Sequence, residues 1–199
     1  IHGGTTDRRR RPHPHPAGCA AAGALPTPIH LKPLDEDALS LPVRTGKARV
    51  IGIEPASLVT KSLVREVKTD DTGCFQSALN PGLTKIAVIE RHKRTGKLGI
   101  GILEGYGLTG GAIATTISHD SHNIVVAGDN DPDMLLAVRE LADMGGGIVS
   151  VHGGAIRRLP LPIAGLMTSA DPQESMPSFT ICSLPRVRSS VSPKTSNRS

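Results

Sequence analysis

The feature that most restricts how this chain can fold is a train of short β-branched runs through its middle, each closed by turn-forming residues. The runs are Ala48–Ile53, Lys85–Glu90, Leu98–Leu103, Ala112–Ser118, Ile124–Ala127 and Gly147–Val151. Segments of this length and composition predict at least five strands. One segment has a different period. After Asp131-Pro132-Asp133, the apolar residues Met134, Leu135, Val138, Leu141 and Ala142 recur at helical spacing, until Gly145 to Gly147 end the pattern. Asp131 is expected to cap this helix, and Pro132 suits its first turn. Strand 124–127, the helix and strand 147–151 read as a crossover unit, which favours parallel pairing of those two strands. The remaining strands read as hairpins. The predicted fold class is therefore α+β: a mixed β-sheet sandwich with few helices and one βαβ-type unit near residues 124–151.

A chain of 199 residues has room for one ordinary domain, with a core that must be aliphatic because Trp is absent and the only aromatics are Phe75, Tyr106 and Phe179. That scarcity disfavours the stacking platforms used for single-stranded nucleic acid. Residues 1–29 mix an Arg run, alternating His-Pro and an Ala/Gly tract without any period, and are expected to be disordered and unlike the family named below. The Ser/Pro/Arg-rich stretch 169–199 carries the same expectation, which leaves 30–168 as the domain. The first residue is Ile rather than Met, so a fragment is expected, from a truncated or frame-shifted reading. Lys/Arg and Asp/Glu nearly balance between Val43 and Thr168, so most of the formal +5 charge lies in the two ends and does not point to nucleic acid. Cys19, Cys74 and Cys182 are odd in number and far apart, which argues against a disulfide framework and for a reducing cytoplasm. No apolar run is long enough to span a bilayer.

Two apparent motifs fail on context. Gly105-Tyr106-Gly107-Leu108-Thr109-Gly110 matches a dinucleotide fingerprint, with Asp129 about twenty residues on. A β-branched run follows it, however, where a pyrophosphate would need a helix N-terminus, so a glycine-rich turn is the expected reading. His13-Pro14-His15 matches the metal-binding pair on the first strand of amidohydrolase barrels, but flanking prolines and preceding arginines rule out such a strand. No GxSxG elbow, HExxH helix or P-loop lysine motif is present.

Ser118-His119-Asp120-Ser121-His122-Asn123 sets two imidazoles, a carboxylate, two hydroxyls and an amide between two apolar strands. In a continuing strand His119 and His122 would face opposite sides, so a shared site requires Asp120 to Asn123 to turn. On residues alone, a metal or substrate site and a polar connecting loop both remain open. Glu90-Arg91-His92 is a second charged cluster at a strand end, read by itself as a solvated turn that Lys93 to Lys97 complete into a hairpin loop.

The blocks Lys85 to His92, Gly105 to Leu108, Gly111 to Ala114, Ser118 to Ile124, Asp131 to Gly147 and Leu159 to Met167 resemble, in order and spacing, the C-terminal domain of bacterial and archaeal adenine deaminases. The resemblance spans roughly His30 to Met167. It implies a metal-dependent hydrolase of the amidohydrolase superfamily that converts adenine and water to hypoxanthine and ammonia in purine salvage. Its distorted barrel holds one or two divalent metals, manganese or iron, that activate the attacking water. No counterpart of that barrel is present in this sequence, so none of the barrel's catalytic or metal-binding residues can be carried over, and this chain alone is expected to be inactive and free of cofactor. His119, Asp120, His122, Glu90 and His92 stand as candidates at the site edge, with His119, Asp120 and His122 as the metal candidates. The implied partners are adenine, the barrel domain and a possible homo-oligomer, with no nucleic acid and no membrane. Two alternatives remain: a stand-alone purine- or partner-binding module without chemistry, and an independent metal hydrolase using His119, Asp120, His122 and His92.

Overall fold

The computed structural model describes residues 29–171. The expectations for 1–28 and 172–199, including the His13-Pro14-His15 pair, Cys19 and Cys182, lie outside the described residues. Eight strands form one sheet: β1 (Lys47–Gly52), β2 (Lys61–Glu66), β3 (Leu83–Ile89), β4 (Leu98–Glu104), β5 (Gly111–Thr115), β6 (Ile124–Gly128), β7 (Gly147–His152) and β8 (Ala155–Pro160). Their order across the sheet is β2-β1-β4-β3-β6-β5-β7-β8. All neighbours pair antiparallel except β1 and β4, which run parallel. Among the described residues one α-helix, α1 (Asp131–Asp143), packs on β5, β6 and β7. The fold is therefore α+β, with a mixed sheet and few helices.

The crossover unit is present in a modified form. β6 and β7 run in the same direction, as expected, but they do not pair; β5 lies between them and bonds antiparallel to both. The loop from β5 into β6 is short enough for a hairpin, and this local pairing fills the slot that a direct β6–β7 contact would need. The helix start also differs from the expectation by one residue. Asn130 is the cap, and its side chain accepts from the Asp133 amide at 2.9 Å. Asp131 is thereby released into the first turn, where its carboxylate takes the Lys85 ammonium at 2.6 and 2.8 Å. Lys85 is only 2% exposed, and its third bond goes to the Leu39 carbonyl at 2.9 Å.

The helix buries Met134, Leu135, Ala137, Val138 and Leu141 against Ala87, Ala112, Ala114, Val126, Val149 and Val151 of the sheet. Small residues on the strands let the helix approach closely. A methyl group on Gly128 would lie 2.4 Å from the Met134 side chain. Leu39, carried by a 3-10 turn at Glu36–Leu39, enters the same core. A second, smaller core under β1 and β4 gathers Val50, Val67, Phe75 and Ile102.

Leu141 is fully buried and Leu135 is 5% exposed, so replacing either with Ala should cost on the order of 2 to 5 kcal/mol through lost transfer energy and an unfilled cavity. Urea denaturation followed by circular dichroism measures this. Unchanged midpoints for both variants would place the helix on a different face.

Candidate functional site

Strand directions bring three sequence blocks to one end of the sheet. The β3–β4 loop carries Glu90, Arg91 and His92; the β5–β6 loop carries Thr116 to Asn123; and the segment after β8 carries Leu161 to Met167. Arg91 joins them. Inward-facing positions alternate along β3 through Ala87 and Ile89, and Arg91 continues that parity past the strand end. Its guanidinium is 2% exposed, donates through Nε to the His122 carbonyl at 2.5 Å, and donates through Nη2 to the Ala164 carbonyl at 3.2 Å. The expectation of a solvated cluster therefore fails at Arg91. Burial pushes its pKa below the usual value. Thr116, fully buried, completes the junction: its hydroxyl donates to the Gly165 carbonyl at 2.5 Å and accepts from the Gly147 amide at 2.8 Å. A methyl group at Gly165 would lie 3.1 Å from that hydroxyl and 3.3 Å from Arg91 Nη1, and the backbone there is at φ +69°, so a side chain at this position would be strained.

The loop 118–123 turns, as a shared site requires. The amides of Ser121 and His122 bond back to the carbonyls of His119 and Ser118, at 3.0 and 2.8 Å. Asp120 and His122 take left-handed backbone, at φ 65° and 49°. The consequence is a division of roles. His119 and Asp120 project into solvent, with side chains 97% and 92% exposed, and pair with each other through Nδ1 and Oδ1 at 3.0 Å. His122 is half-buried, and its Nδ1 is buried without a hydrogen-bond partner among the described residues, as is Arg91 Nη1. His92 leans across from the neighbouring loop, its Nε2 lying 3.0 Å from the Ser121 carbonyl.

Glu90 shapes its own turn. Its carboxylate accepts from the amides of His92, Lys93 and Thr95 at 2.6, 2.7 and 3.0 Å, and from the Thr95 hydroxyl at 2.8 Å. These bonds, the Thr95 amide first, hold its pKa down to about 2 from an ordinary 4.5. Among the described residues, no three His, Cys, Asp or Glu side chains are placed to hold a metal ion together. The five candidates thus share one end of the fold without converging on one point.

At the opposite end, the glycine-rich turn 105–110 leads into strand β5, as the β-branched run predicts. The Asp129 carboxylate accepts from the Gly110 amide, and from the Gly111 amide at 3.0 Å. The backbone donors that a phosphate would use are therefore occupied by an internal carboxylate.

Sequence reasoning missed Arg91 and Thr116 as organisers. The inward parity of β3 was the available signal for Arg91. For Thr116 there was none, because its partners come from Gly147 and Gly165, distant in sequence.

The class that emerges is an α+β domain whose polar, strained loops gather at one sheet edge. The model of the adenine deaminase C-terminal domain family matches residues 57–183, and the chain belongs to that family. It is 57% identical over 152 residues to an adenine deaminase of Nitratidesulfovibrio vulgaris (strain DP4), covering 76% of this chain and 26% of that protein. It is 46% identical over 141 residues to adenine deaminase 2 of Carboxydothermus hydrogenoformans, covering 70% of this chain and 25% of the relative. A Clostridium acetobutylicum adenine deaminase is 46% identical over 142 residues, covering 71% and 25%. The chain thus spans about a quarter of the length of these relatives.

Two outcomes are expected at this end. Arg91→Met leaves the His122 and Ala164 carbonyls without their charged donor, and should cost on the order of 3 kcal/mol in urea denaturation. An unchanged midpoint would mean that the loops hold together without the guanidinium. Because the folded pKa of Glu90 lies below its ordinary value, its contribution is present above about pH 4.5 and is lost as pH falls toward about 2. Glu90→Gln should therefore be less stable than the parent at pH 7, with the gap closing across that window. A gap that persisted at pH 2 would detach it from the carboxylate.

Proposed function

We propose that this chain is the C-terminal accessory domain of an adenine deaminase, the hydrolase that converts adenine and water to hypoxanthine and ammonia in cytoplasmic purine metabolism. The chemistry resides on an amidohydrolase barrel that contributes most of the relatives' length. The observation that carries this reading is the convergence of the 90–92, 118–123 and 161–167 blocks at one sheet end, pinned by the buried Arg91 and displaying His119 and Asp120 to solvent.

The residues present do not fit a resident divalent metal. His119 Nδ1 is paired with Asp120 in open solvent, His92 Nε2 lies against a backbone carbonyl, and His122 Nδ1 is enclosed. In this reading the manganese or iron that the family resemblance implies is held by the barrel. What this domain supplies is an edge. A His–Asp pair at 3.0 Å can accept a hydrogen bond from an amino group or donate one to a ring nitrogen. The left-handed backbone at Asp120 and His122 aims that pair away from the core, and energy is stored at such positions where the surrounding fold fixes them. No described helix is long and apolar enough to cross a membrane.

The test is made in the full-length N. vulgaris relative. Alanine at the positions matching His119 and His122 should lower adenine turnover by about tenfold or more, within the range for a proton-handling side chain, with Tm within a few degrees of the parent. Unchanged turnover, or simple unfolding of both variants, would make the loop structural and overturn the assignment.

A further inference from the structure

The helix covers only one side of the eight-stranded sheet. On the other side, the pairing register sets Val88, Val125, Thr115 and Ile148 in one row across β3, β6, β5 and β7, and sets Ile86 and Ile113 in the next. No Asp, Glu, Lys or Arg occupies an outward position on β4, β3, β6, β5 or β7. An antiparallel sheet with a wetted face alternates apolar inward with polar outward. This one is apolar on the helix side and, apart from Thr84, Thr115, Ser150 and His152, carries only apolar residues and glycine on the outer side of its centre. The outward Ile51, Val64 and Val88 are 41, 62 and 39% exposed.

The size suits a docking surface. Five strands at about 4.8 Å spacing and about 17 Å length span a plane of roughly 400 Å², the size of the largest apolar patch on a typical monomer; on it Val88 is exposed, Ile86, Ile113, Val125 and Ile148 are half-buried, and Thr84, Leu103, Ala127 and Ser150 are buried. The β1–β2 wing brings it toward the roughly 800 Å² per partner of a stable interface.

We propose that this uncharged sheet face is the seat of the catalytic portion of the enzyme, resting on the reading above that the chain is an adenine deaminase C-terminal domain. One observation selects that occupant over a second copy. About three quarters of each relative's length lies outside the region this chain matches, and a covalently joined neighbour meets the face at high effective concentration. At the β1–β2 rim the outward charges are mixed, Lys47 and Arg49 standing beside Glu66. The sheet face would then carry the attachment, and the loop end the contact with the site.

Cysteine labelling tests this. Val88→Cys is introduced into this chain, and a cysteine into the matching position of the full-length N. vulgaris relative, both with their other cysteines replaced. Arg139→Cys, on the exposed side of α1, and its match in the relative serve as the control. We expect maleimide to modify position 88 readily in this chain and about tenfold or more slowly in the full-length protein, with position 139 equally reactive in both. If Val88→Cys does not fold, Ile148→Cys reads the same face. Equal reactivity of the face in both proteins would overturn the proposal. So would protection in this chain alone accompanied by a dimeric mass in sedimentation, which would make a second copy the occupant. Because the readout is thiol accessibility, it can fail while the turnover test of His119 and His122 succeeds, or the reverse.

Discussion

The architecture hangs on one ammonium group. Lys85 stands on the central strand β3, is 2% exposed, and spends its bonds on both Asp131 oxygens and the Leu39 carbonyl. It thereby fastens the first turn of the helix and the preceding 3-10 turn to the middle of the sheet. A buried cation of this kind adds little net stability over a well-packed apolar substitute, but losing one partner strands the other and costs roughly 3 to 5 kcal/mol. Its value here is positional. With the start of α1 held over β3 and β6, the remaining helix crosses β5 and β7 and delivers its C-terminal glycines to the far end of the sheet. There the Gly146 carbonyl accepts the Leu161 amide at 3.2 Å, and so places the segment that Arg91 and Thr116 bind.

The far end repeats the device with the opposite chemistry. Among the described residues Arg91 has no carboxylate partner, and its charge is met by the carbonyl dipoles of His122 and Ala164. Both residues hold left-handed backbone, at φ 49° and 57°, so the carbonyls that stabilise the guanidinium belong to conformations that cost energy in isolation. Arrangements of this kind persist where neighbouring structure over-determines them. Three loops converging on one side chain supply that determination.

Much of this fold was legible because the central strands are long enough to show their β-branched runs and the helix shows a clean period. β2 and β8 escaped for a shared reason: both are edge strands. Lys61-Ser-Leu-Val-Arg-Glu66 is almost wholly exposed, and Ala155 to Pro160 ends in a proline, so neither carries the burial signature that marks a central strand. Pairing was harder to read than existence. The βαβ-type unit was visible in order of elements, but the insertion of β5 between β6 and β7 depends on a hairpin whose loop is filled with polar residues rather than a tight turn signal. Of the loop end, the turning of 118–123 was legible in its residue types. The exposure of His119 and Asp120 against the enclosure of His122 was not, since it follows from two left-handed residues and from a guanidinium contributed by another loop.

The contrast between the two sheet ends bears on which of them works. Both carry motifs that invite a functional reading, and their hydrogen bonding separates them. In the glycine-rich turn the Gly110 and Gly111 amides are met by Asp129, and Asp129 is met in turn by the Asn130 side chain at 2.9 Å, so the group is closed on itself. A ligand phosphate would have to displace a carboxylate already serving the helix approach. At the other end Arg91 Nη1 and His122 Nδ1 are enclosed without partners among the described residues, and the His119–Asp120 pair faces outward. Unsatisfied buried polar atoms each cost about 1 to 3 kcal/mol, a penalty that a purely structural loop could avoid by substituting an apolar residue. Ser77 Oγ, shortly before β3, is enclosed without a partner among the described residues in the same way, so such atoms are not confined to the loop end. What distinguishes the loop end is the outward His119–Asp120 pair beside Arg91 and His122, whereas the Asp129 carboxylate at the other end is fully engaged by backbone amides and Asn130.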